Sequence, residues 1–303
     1  MNYLITGGTG LVGKRLTEIL LENGHTVSIL SRSKRKNSRV KYFQWDLKNE
    51  TIETEALVGV DCLIHLAGAG IADKKWTKRR KQEIIDSRVE PLKFLAEKFN
   101  ETGNPPKVIV SASAIGIYGF DTGDKLLTEV HESGQDYISN VVVLWERAVE
   151  EFAEQTHARQ VKLRIGIVLD KNGGALPQLA LPVKLGVGSP IGDGNQWMSW
   201  IHIEDLCQLF YTASVSESFK DSYNAVSPNP AQNKEIVKHL GEVLHRPIWA
   251  PNVPKWVLKT LLQERAQLVL GGNKVSSVKV EAAGYQFIYS DLKDALKEIY
   301  TTK

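Results

Sequence analysis

The sequence predicts an α/β protein: a Rossmann-like, doubly wound parallel sheet with a smaller, mostly helical C-terminal substrate domain. Three observations predict it. Short, nearly continuous apolar runs alternate with helical patterns over residues 1–169, the texture of strands covered on both faces by crossover helices. A glycine-rich turn, TGGTGLVG, joins the first run to the first helical pattern. After residue 170 the alternation gives way to a Gly/Pro-rich stretch and then to further helical patterns.

YLIT (residues 3–6) reads as a strand ended by glycines. LVGKRLTEILLENG puts Val12, Leu16, Ile19 and Leu20 on one helical face, and Asn23 and Gly24 supply the stop. TVSILS (26–31), VKYFQWDL (40–47), DCLIHLAG (61–68), KVIVSAS (107–113) and VKLRIGIVL (161–169) read as further strands. Helices are expected over 74–100 and 136–154. In the second, Ile138, Val141, Val142, Trp145, Val149 and Phe152 recur at the spacing of one buried face. KNGGALPQLALPVKLGVGSPIGDGNQ is too rich in glycine and proline to be one long element. WIHIEDLCQLFYTAS resumes a strand and a helix. Three helical patterns follow: NKEIVKHLGEVL, one opening at Pro254, and SDLKDALKEIY. Residues 1–169 are thus expected to bind a coenzyme, with 200–225 returning to that domain, and 170–303 to close over a substrate.

The 303 residues suffice for one large or two modest domains, and 42% hydrophobic with 24% charged content suits a soluble globular chain. A net charge of +3 is too small to argue for nucleic acid, so KKWTKRRK reads as a solvated helix start. Cys62 and Cys207 lie in apolar runs and read as reduced core residues. No apolar run is long enough for a membrane span, and MNYLITGGTG enters a strand at once, so a cytoplasmic protein is expected. The expected partner is a small molecule, in a monomer or homodimer, and no metal site is expected.

Gly7, Gly10 and Gly13 have the G-x-x-G-x-x-G spacing between strand and helix. They permit a tight turn, close approach of backbone to a pyrophosphate, and close packing of helix on strand. The first helical turn, with Leu11 and Val12, offers its N–H groups to the phosphates, and Thr6 precedes the loop. At the end of the second strand an acidic residue would hold the ribose hydroxyl of NAD. SRSKRKNSR stands there instead, so Arg32 and Arg35 favour the 2′-phosphate of NADP(H), with Lys34, Lys36 and Arg39 nearby. The alternative is a solvated basic turn.

TGGTGLVG, WDL, HLAGAGIADKKW, SASAIGIYG, GGALPQL, PIGDGNQWMSWIHIEDL and LGGNKVSSVKVEAAGYQF together resemble the short-chain dehydrogenase/reductase superfamily, in its extended branch of nucleotide-sugar epimerases and relatives. Within it the chain resembles an atypical subfamily usually labelled "epimerase family protein", which carries a C-terminal domain of unknown function. The resemblance implies a Rossmann domain, a smaller substrate domain and NADP(H), without supplying a reaction. It implies that Asp46 and Leu47 flank the adenine, that Leu66, Ala67 and Gly68 line the cleft near the ribose, and that Ser111 and Ser113 end the fifth strand close to the nicotinamide.

The superfamily's mechanism uses a serine, a tyrosine, a lysine that lowers the tyrosine pKa, and an asparagine. Ser113 matches the serine, and Arg88 stands at the asparagine position. With Glu146 anchoring the alignment, the lysine position is Val142 and the tyrosine position Ile138. Tyr137 is adjacent, about 100° further round the helix. A tyrosine without a nearby lysine titrates near its free value of about 10, so oxidation, which needs a base, is disfavoured. Reduction needs only a proton donor or a polarising cation, and Ser113, Arg88, Tyr118 and Tyr137 are the candidates, Ser113 with Arg88 foremost. The competing reading pairs Arg88 with an acid and puts Tyr118 in the core.

Met198 stands where sugar-nucleotide enzymes often carry a diphosphate-gripping arginine. Trp197, Met198 and Trp200 suggest an apolar substrate lining or, equally, domain-interface packing. His202, inside an apolar strand, reads as a hydrogen-bonded structural residue. Two functions follow: an NADP(H)-dependent reductase of a small, fairly apolar carbonyl compound or activated alkene, or a catalytically silent NADP(H)-binding sensor. A true epimerase lacks the base for its first step.

Overall fold

The computed structural model describes residues 1–33, 35 and 38–301. Lys34 and Lys36 of the basic turn lie outside the described residues. Seven strands, β1 (Asn2–Thr6), β2 (Thr26–Ser31), β3 (Lys41–Asp46), β4 (Cys62–His65), β5 (Val108–Ala114), β6 (Arg159–Ile165) and β7 (Asp221–Ala225), form a parallel sheet in the order β7-β6-β5-β4-β1-β2-β3. A short antiparallel strand, Thr51–Ile52, extends it beyond β3. The strand order reverses at β1, which pairs with β2 on one side and β4 on the other. The crevice above the carboxyl ends of β1 and β4 is therefore the topological switch point, where open α/β sheets take ligands.

Helices α1 (Leu11–Glu22), α2 (Lys78–Thr102), α3 (Tyr137–Thr156), α4 (Leu176–Lys184), α5 (Ile203–Val215) and α6 (Asn233–Val243) follow in chain order. The main core joins Leu4 and Ile5 of β1 to Leu16 of α1, Phe99 of α2, Phe152 of α3 and Phe210 of α5. All six apolar residues of the α3 face, from Ile138 to Phe152, are buried. Asn23 caps α1 and Gly24 follows at φ 76°, where a side chain would be strained. A second core lies below the C-terminal portion, around Trp200, Leu176, Ile236 and Leu296 of the final helix, Leu292–Thr301. Cys62 and Cys207 are buried and free. Among the described residues no helix is long and apolar enough to cross a membrane, and no side-chain cluster could hold a metal.

One expectation changes. The single strand expected over 161–169 is two, β6 and Ile167–Asp170, broken at Gly166. A Cβ at Gly166 would lie 2.2 Å from the Ser199 carbonyl oxygen and 2.8 Å from the Val226 side chain. The chain passes there from the main sheet into a three-stranded one, pairing with Trp200–His202 and Gly173–Gly174. The Gly/Pro-rich stretch is not one long element: it holds the nine-residue α4, with Pro177 in its first turn, where no N–H is missed.

Gly166→Ala is expected to lower unfolding stability by about 1–3 kcal/mol, as overpacking does. A urea midpoint equal to wild type would contradict this tight crossing.

Candidate active site

The loop after β1 crosses the loop after β4 at van der Waals limits. Gly7 has φ 70°, and a Cβ there would sit 2.6 Å from the Leu66 carbonyl carbon and oxygen. A Cβ on Gly13 would meet Gly8 Cα at 2.5 Å and the Gly7 oxygen at 2.6 Å. The Gly10 N–H donates to the Gly7 oxygen at 3.0 Å and closes the turn. Helix α1 begins at Leu11 with Gly10 at its cap and no side-chain cap hydrogen bond. The first-turn N–H groups, including those of Leu11 and Val12, thus face the loop's mouth with the helix's positive end. The stripped cradle fits the pyrophosphate of a dinucleotide, since any side chain at Gly7 or Gly13 would fill it. Leu11 supports Gly173 from below, where a Cβ would lie 3.2 Å from Leu11 Cδ2, and the Val12 oxygen accepts a weak bond from the Cys207 thiol.

Arg32 follows β2 directly and is exposed, as is Arg35. The Asp46 carboxylate is turned into its own loop, where it accepts from the Lys48 and Asn49 backbones and the Asn49 amide. It thereby shapes the β3 turn that presents Leu47. Ser111 is fully buried in β5, opposite His65, and donates to the Ala112 oxygen.

Beneath the crossing runs a buried relay. Leu66 N–H donates to the Thr6 carbonyl at 3.1 Å, and Ala67 N–H to Thr6 Oγ1 at 3.3 Å. Thr6 Oγ1 lies 2.8 Å from His65 Nδ1, and His65 Nε2 lies 3.3 Å from the Arg88 carbonyl. A carbonyl only accepts, so Nε2 carries the ring proton and Nδ1 accepts from the Thr6 hydroxyl. Burial drives the His65 pKa down to about 3, so the ring is neutral. The first coenzyme loop is thereby connected through one histidine to α2 at Arg88.

The four catalytic candidates separate into two groups. Ser113 is buried and donates to Glu146 Oε1 at 2.6 Å. Glu146 is also held by Arg164 through two bonds, of 2.8 Å and 2.9 Å. Burial alone would raise the Glu146 pKa, but Arg164 outweighs it and the carboxylate stays below its usual range. Tyr118 is buried, donates to Asn224 Oδ1 at 2.7 Å and accepts from Arg164 at 3.2 Å. The expected pairing of Ser113 with Arg88 is absent: the serine proton is committed to an internal carboxylate, and Tyr118 belongs to the core. Ile138 and Val142, the residues expected at the tyrosine and lysine positions, face the turn after β5. Both are buried, and a Cβ on Gly116 would lie 2.7 Å from Ile138 Cγ2 and 3.9 Å from Val142 Cγ2. The turn after β5 has settled onto that helix face, and Val142 packs with Ile117, Tyr118 and Val226.

Arg88 and Tyr137 form the second group. Arg88 Nη1 donates to the carbonyls of Ile84 at 2.9 Å and Ala69 at 3.2 Å. Its guanidinium carbon lies 5.1 Å from the centre of the Trp145 ring. No acid pairs with it among the described residues, contrary to the structural reading of Arg88. Tyr137 donates to the Lys81 carbonyl at 3.0 Å and meets the Trp76 ring edge-on, with centroids 5.2 Å apart. The basic run at the start of α2 is more than a solvated helix end: Thr77 caps it, Arg80 is buried and bonds the Gly70 carbonyl, and Lys81 pairs with Glu264 at 2.6 Å.

The expected apolar lining is corrected at Trp200. That residue is fully buried in the second core, with its indole N–H on the Asn229 carbonyl at 2.9 Å, so it reaches no ligand. Met198 packs against the same core and accepts from Asn233. Trp197 bonds Asp124 at 2.7 Å with Lys274 over its ring, joining two segments of the chain. His202 caps α5 by accepting from Glu204 N–H and bonds Glu298 at 3.0 Å, a structural histidine. A cavity of about 440 Å³ lined by Thr128, Arg164, Ser222 and Lys279 opens at the β7 side, away from the crossing. Sequence reasoning missed His65, Trp76, Lys81 and Trp145. A polar residue ending an otherwise apolar strand was the available sign for His65.

Fold and loop together define a dinucleotide-binding protein of the extended short-chain dehydrogenase/reductase type. The chain belongs to the NAD dependent epimerase/dehydratase family, whose pattern matches residues 3–225, and residues 253–299 match a domain of unknown function, DUF1731. It is 36% identical over 301 residues to the epimerase family protein YfhF of Bacillus subtilis (strain 168), covering 99% of this chain and 98% of that one. It is 37% identical over 306 residues to an Arabidopsis thaliana relative named epimerase family protein SDR39U1 homolog, chloroplastic, covering 99% and 86%. The crystal structure of human epimerase family protein SDR39U1 (isoform 2) with NADPH matches all of both chains, with TM-score 0.89 and 32% identity. A UDP-glucuronic acid 4-epimerase from Bacillus cereus, at 18% identity and TM-score 0.80 over 99% of this chain and 98% of that one, shares the fold.

His65 gives a pH signature. Its folded pKa of about 3 lies below the unfolded value of about 6.5, so its stability contribution is whole above the latter and is lost as pH falls toward the former. The wild type is expected to lose up to about 1.4 kcal/mol per pH unit more than His65→Gln across that window. Equal slopes in urea unfolding would contradict a neutral, buried His65.

Proposed function

We propose that the protein is an NADP(H)-dependent reductase of a carbonyl compound or activated alkene, with Arg88 as the polarising cation and Tyr137 as the proton donor. The observation that carries this reading is the Arg88 guanidinium, set against Gly68 at the coenzyme cleft, where a Cβ would lie 3.1 Å from its Cζ. NADPH in the human relative and the arginines after β2 support NADP(H) as the coenzyme. When bound, NADPH supplies a hydride.

The residues of this chain would do the rest. Gly7 to Gly13 would seat the pyrophosphate, and Arg32 with Arg35 the 2′-phosphate. Arg88 would hold the substrate oxygen and stabilise the negative charge that grows on it. Tyr137 would turn its hydroxyl from the Lys81 carbonyl to that oxygen and give up the proton. Burial raises the Tyr137 pKa, and Arg88 and Arg80 offset only part of this, so the phenol stays protonated. Such a group donates in reduction and is a poor base for oxidation. A second reading, a silent NADP(H) sensor, is favoured by the burial of Ile138 and Val142 where the usual pair would stand.

NADPH consumption against a carbonyl and enone panel separates the two. Tyr137→Phe is expected to lower kcat about 10²–10⁴-fold, the range for general acids. Wild-type reduction is expected to hold level with rising pH until Arg88, drawn down to about 10 by burial, loses its charge, the Tyr137 proton being held beyond the ordinary tyrosine range. Tight NADPH binding without turnover on any compound would leave the sensor. Arg32→Ala is expected to cut the NADPH-over-NADH preference about tenfold, the ~1.5 kcal/mol of one charge-assisted bond. An unchanged ratio would remove Arg32 from the 2′-phosphate.

A further inference from the structure

We propose that the substrate is a planar anion: an aromatic or conjugated carbonyl compound whose carboxylate stands beside its carbonyl, so that one carboxylate oxygen and the reacting carbonyl oxygen share the Nε–Nη2 edge of Arg88. This rests on the reductase reading for where the substrate sits, while the anion site itself is testable without turnover.

A guanidinium offers edges of two parallel N–H groups, each matched to a carboxylate. In Arg88 the Nη1 corner is occupied by Ile84, Ala69 and the Ser87 hydroxyl. Nε and Nη2 donate to no group among the described residues, and neither is among the buried polar atoms lacking a partner. Both nitrogens therefore keep some contact with solvent, and the protein does not seal that edge off. Its orientation is fixed by the Nη1 bonds and by packing against Gly68 and Trp145.

The charge around it is unbalanced. Arg80 has Glu83 at 2.8 Å, Arg164 has Glu146 at 2.8 Å and Arg15 has Glu204 at 2.7 Å, whereas Arg88 has no carboxylate among the described residues. Lys81 is neutralised by Glu264. Burial draws the Arg88 pKa down to about 10, so it stays charged at neutral pH and largely desolvated. A buried cation without a counterion is costly, and an anionic ligand relieves that cost. A neutral ketone would engage one N–H and leave its neighbour unpaired.

The flat part of the ligand follows from the rings beside the fork. Trp76 stacks on Phe120 at 6.2 Å and 29°, and Tyr137 abuts Trp76. All three are half-buried, and Tyr137, whose hydroxyl interacts electrostatically with Arg88, joins this aromatic cluster to the arginine, with Lys81 over the Tyr137 and Trp76 rings. One wall for a planar group beside one fork for two oxygens selects an aryl or conjugated acid.

The test titrates NADP⁺-loaded protein calorimetrically with benzoate and trans-cinnamate, each against its neutral amide. In parallel, NADPH consumption is followed with phenylglyoxylate and its methyl ester. At least one acid is expected to bind about tenfold or more tightly than its amide. Arg88→Gln should erase that difference while NADP⁺ still binds, and Arg88→Lys should keep part of it. Should Arg88→Gln fail to fold, added salt should weaken wild-type binding of the acid and spare the amide. Acid and amide binding alike, no acid binding to protein that holds NADP⁺, or a preference that survives Arg88→Gln would each overturn the proposal. Preferential acid binding with no reduction leaves the anion site and removes the reductase reading. Equal turnover of ester and acid keeps the reductase and removes the anion requirement.

Discussion

Where the loop after β1 passes over the loop after β4, two main chains lie closer than any side chain allows. Gly7 faces the Leu66 carbonyl at a separation that a single methyl group would violate, and Gly13 presses α1 onto Gly8 in the same way. This contact fixes the strand order at the switch point, the entry of α1, and the direction in which its first N–H groups point. Thr6 and His65 extend the constraint below the surface, from the phosphate loop to the α2 backbone at Arg88. A neutral imidazole suits the task, because one nitrogen accepts while the other donates.

At the other end of the cleft the turn after β5 packs down on α3, with Gly116 against Ile138 and with Ile117 and Tyr118 beside Val142, and makes a small third core. Ser113 is drawn into the Glu146–Arg164 ion pair, which crosses from α3 to β6. Such a buried pair, fully hydrogen-bonded, holds α3 and the sheet in one register. Across the cleft, on the α2 side, Arg88 is held by the Ile84 and Ala69 carbonyls and Tyr137 by the Lys81 carbonyl. The segment that follows residue 262 reaches this side as well, through Glu264 to Lys81 and Arg265 to the Ala72 carbonyl. The C-terminal portion is thus tied to the same helix start.

Much of the frame was legible in the sequence, because it is written in local signals. The apolar period of α3, the glycine spacing and the Asn23–Gly24 stop each state their own geometry within a turn or two of chain. What was illegible depends on partners distant in sequence. Nothing near Ser113 announces Glu146, and nothing near Gly166 announces the Ser199 carbonyl that splits the strand. Trp200 beside Trp197 and Met198 reads equally as a ligand wall or as packing; only the second core below it decides. Arg88 was found by its position relative to a family pattern, but its missing counterion is a property of the folded surroundings.

The most direct measurement of the central claim is a calorimetric titration of the purified protein with NADPH, alone and after Gly7→Val. The account predicts one saturable site per chain in the wild type and its loss in a variant that retains the helical and sheet signature of the fold. Absence of binding to folded wild-type protein, or undiminished binding once valine fills the crossing, would contradict it.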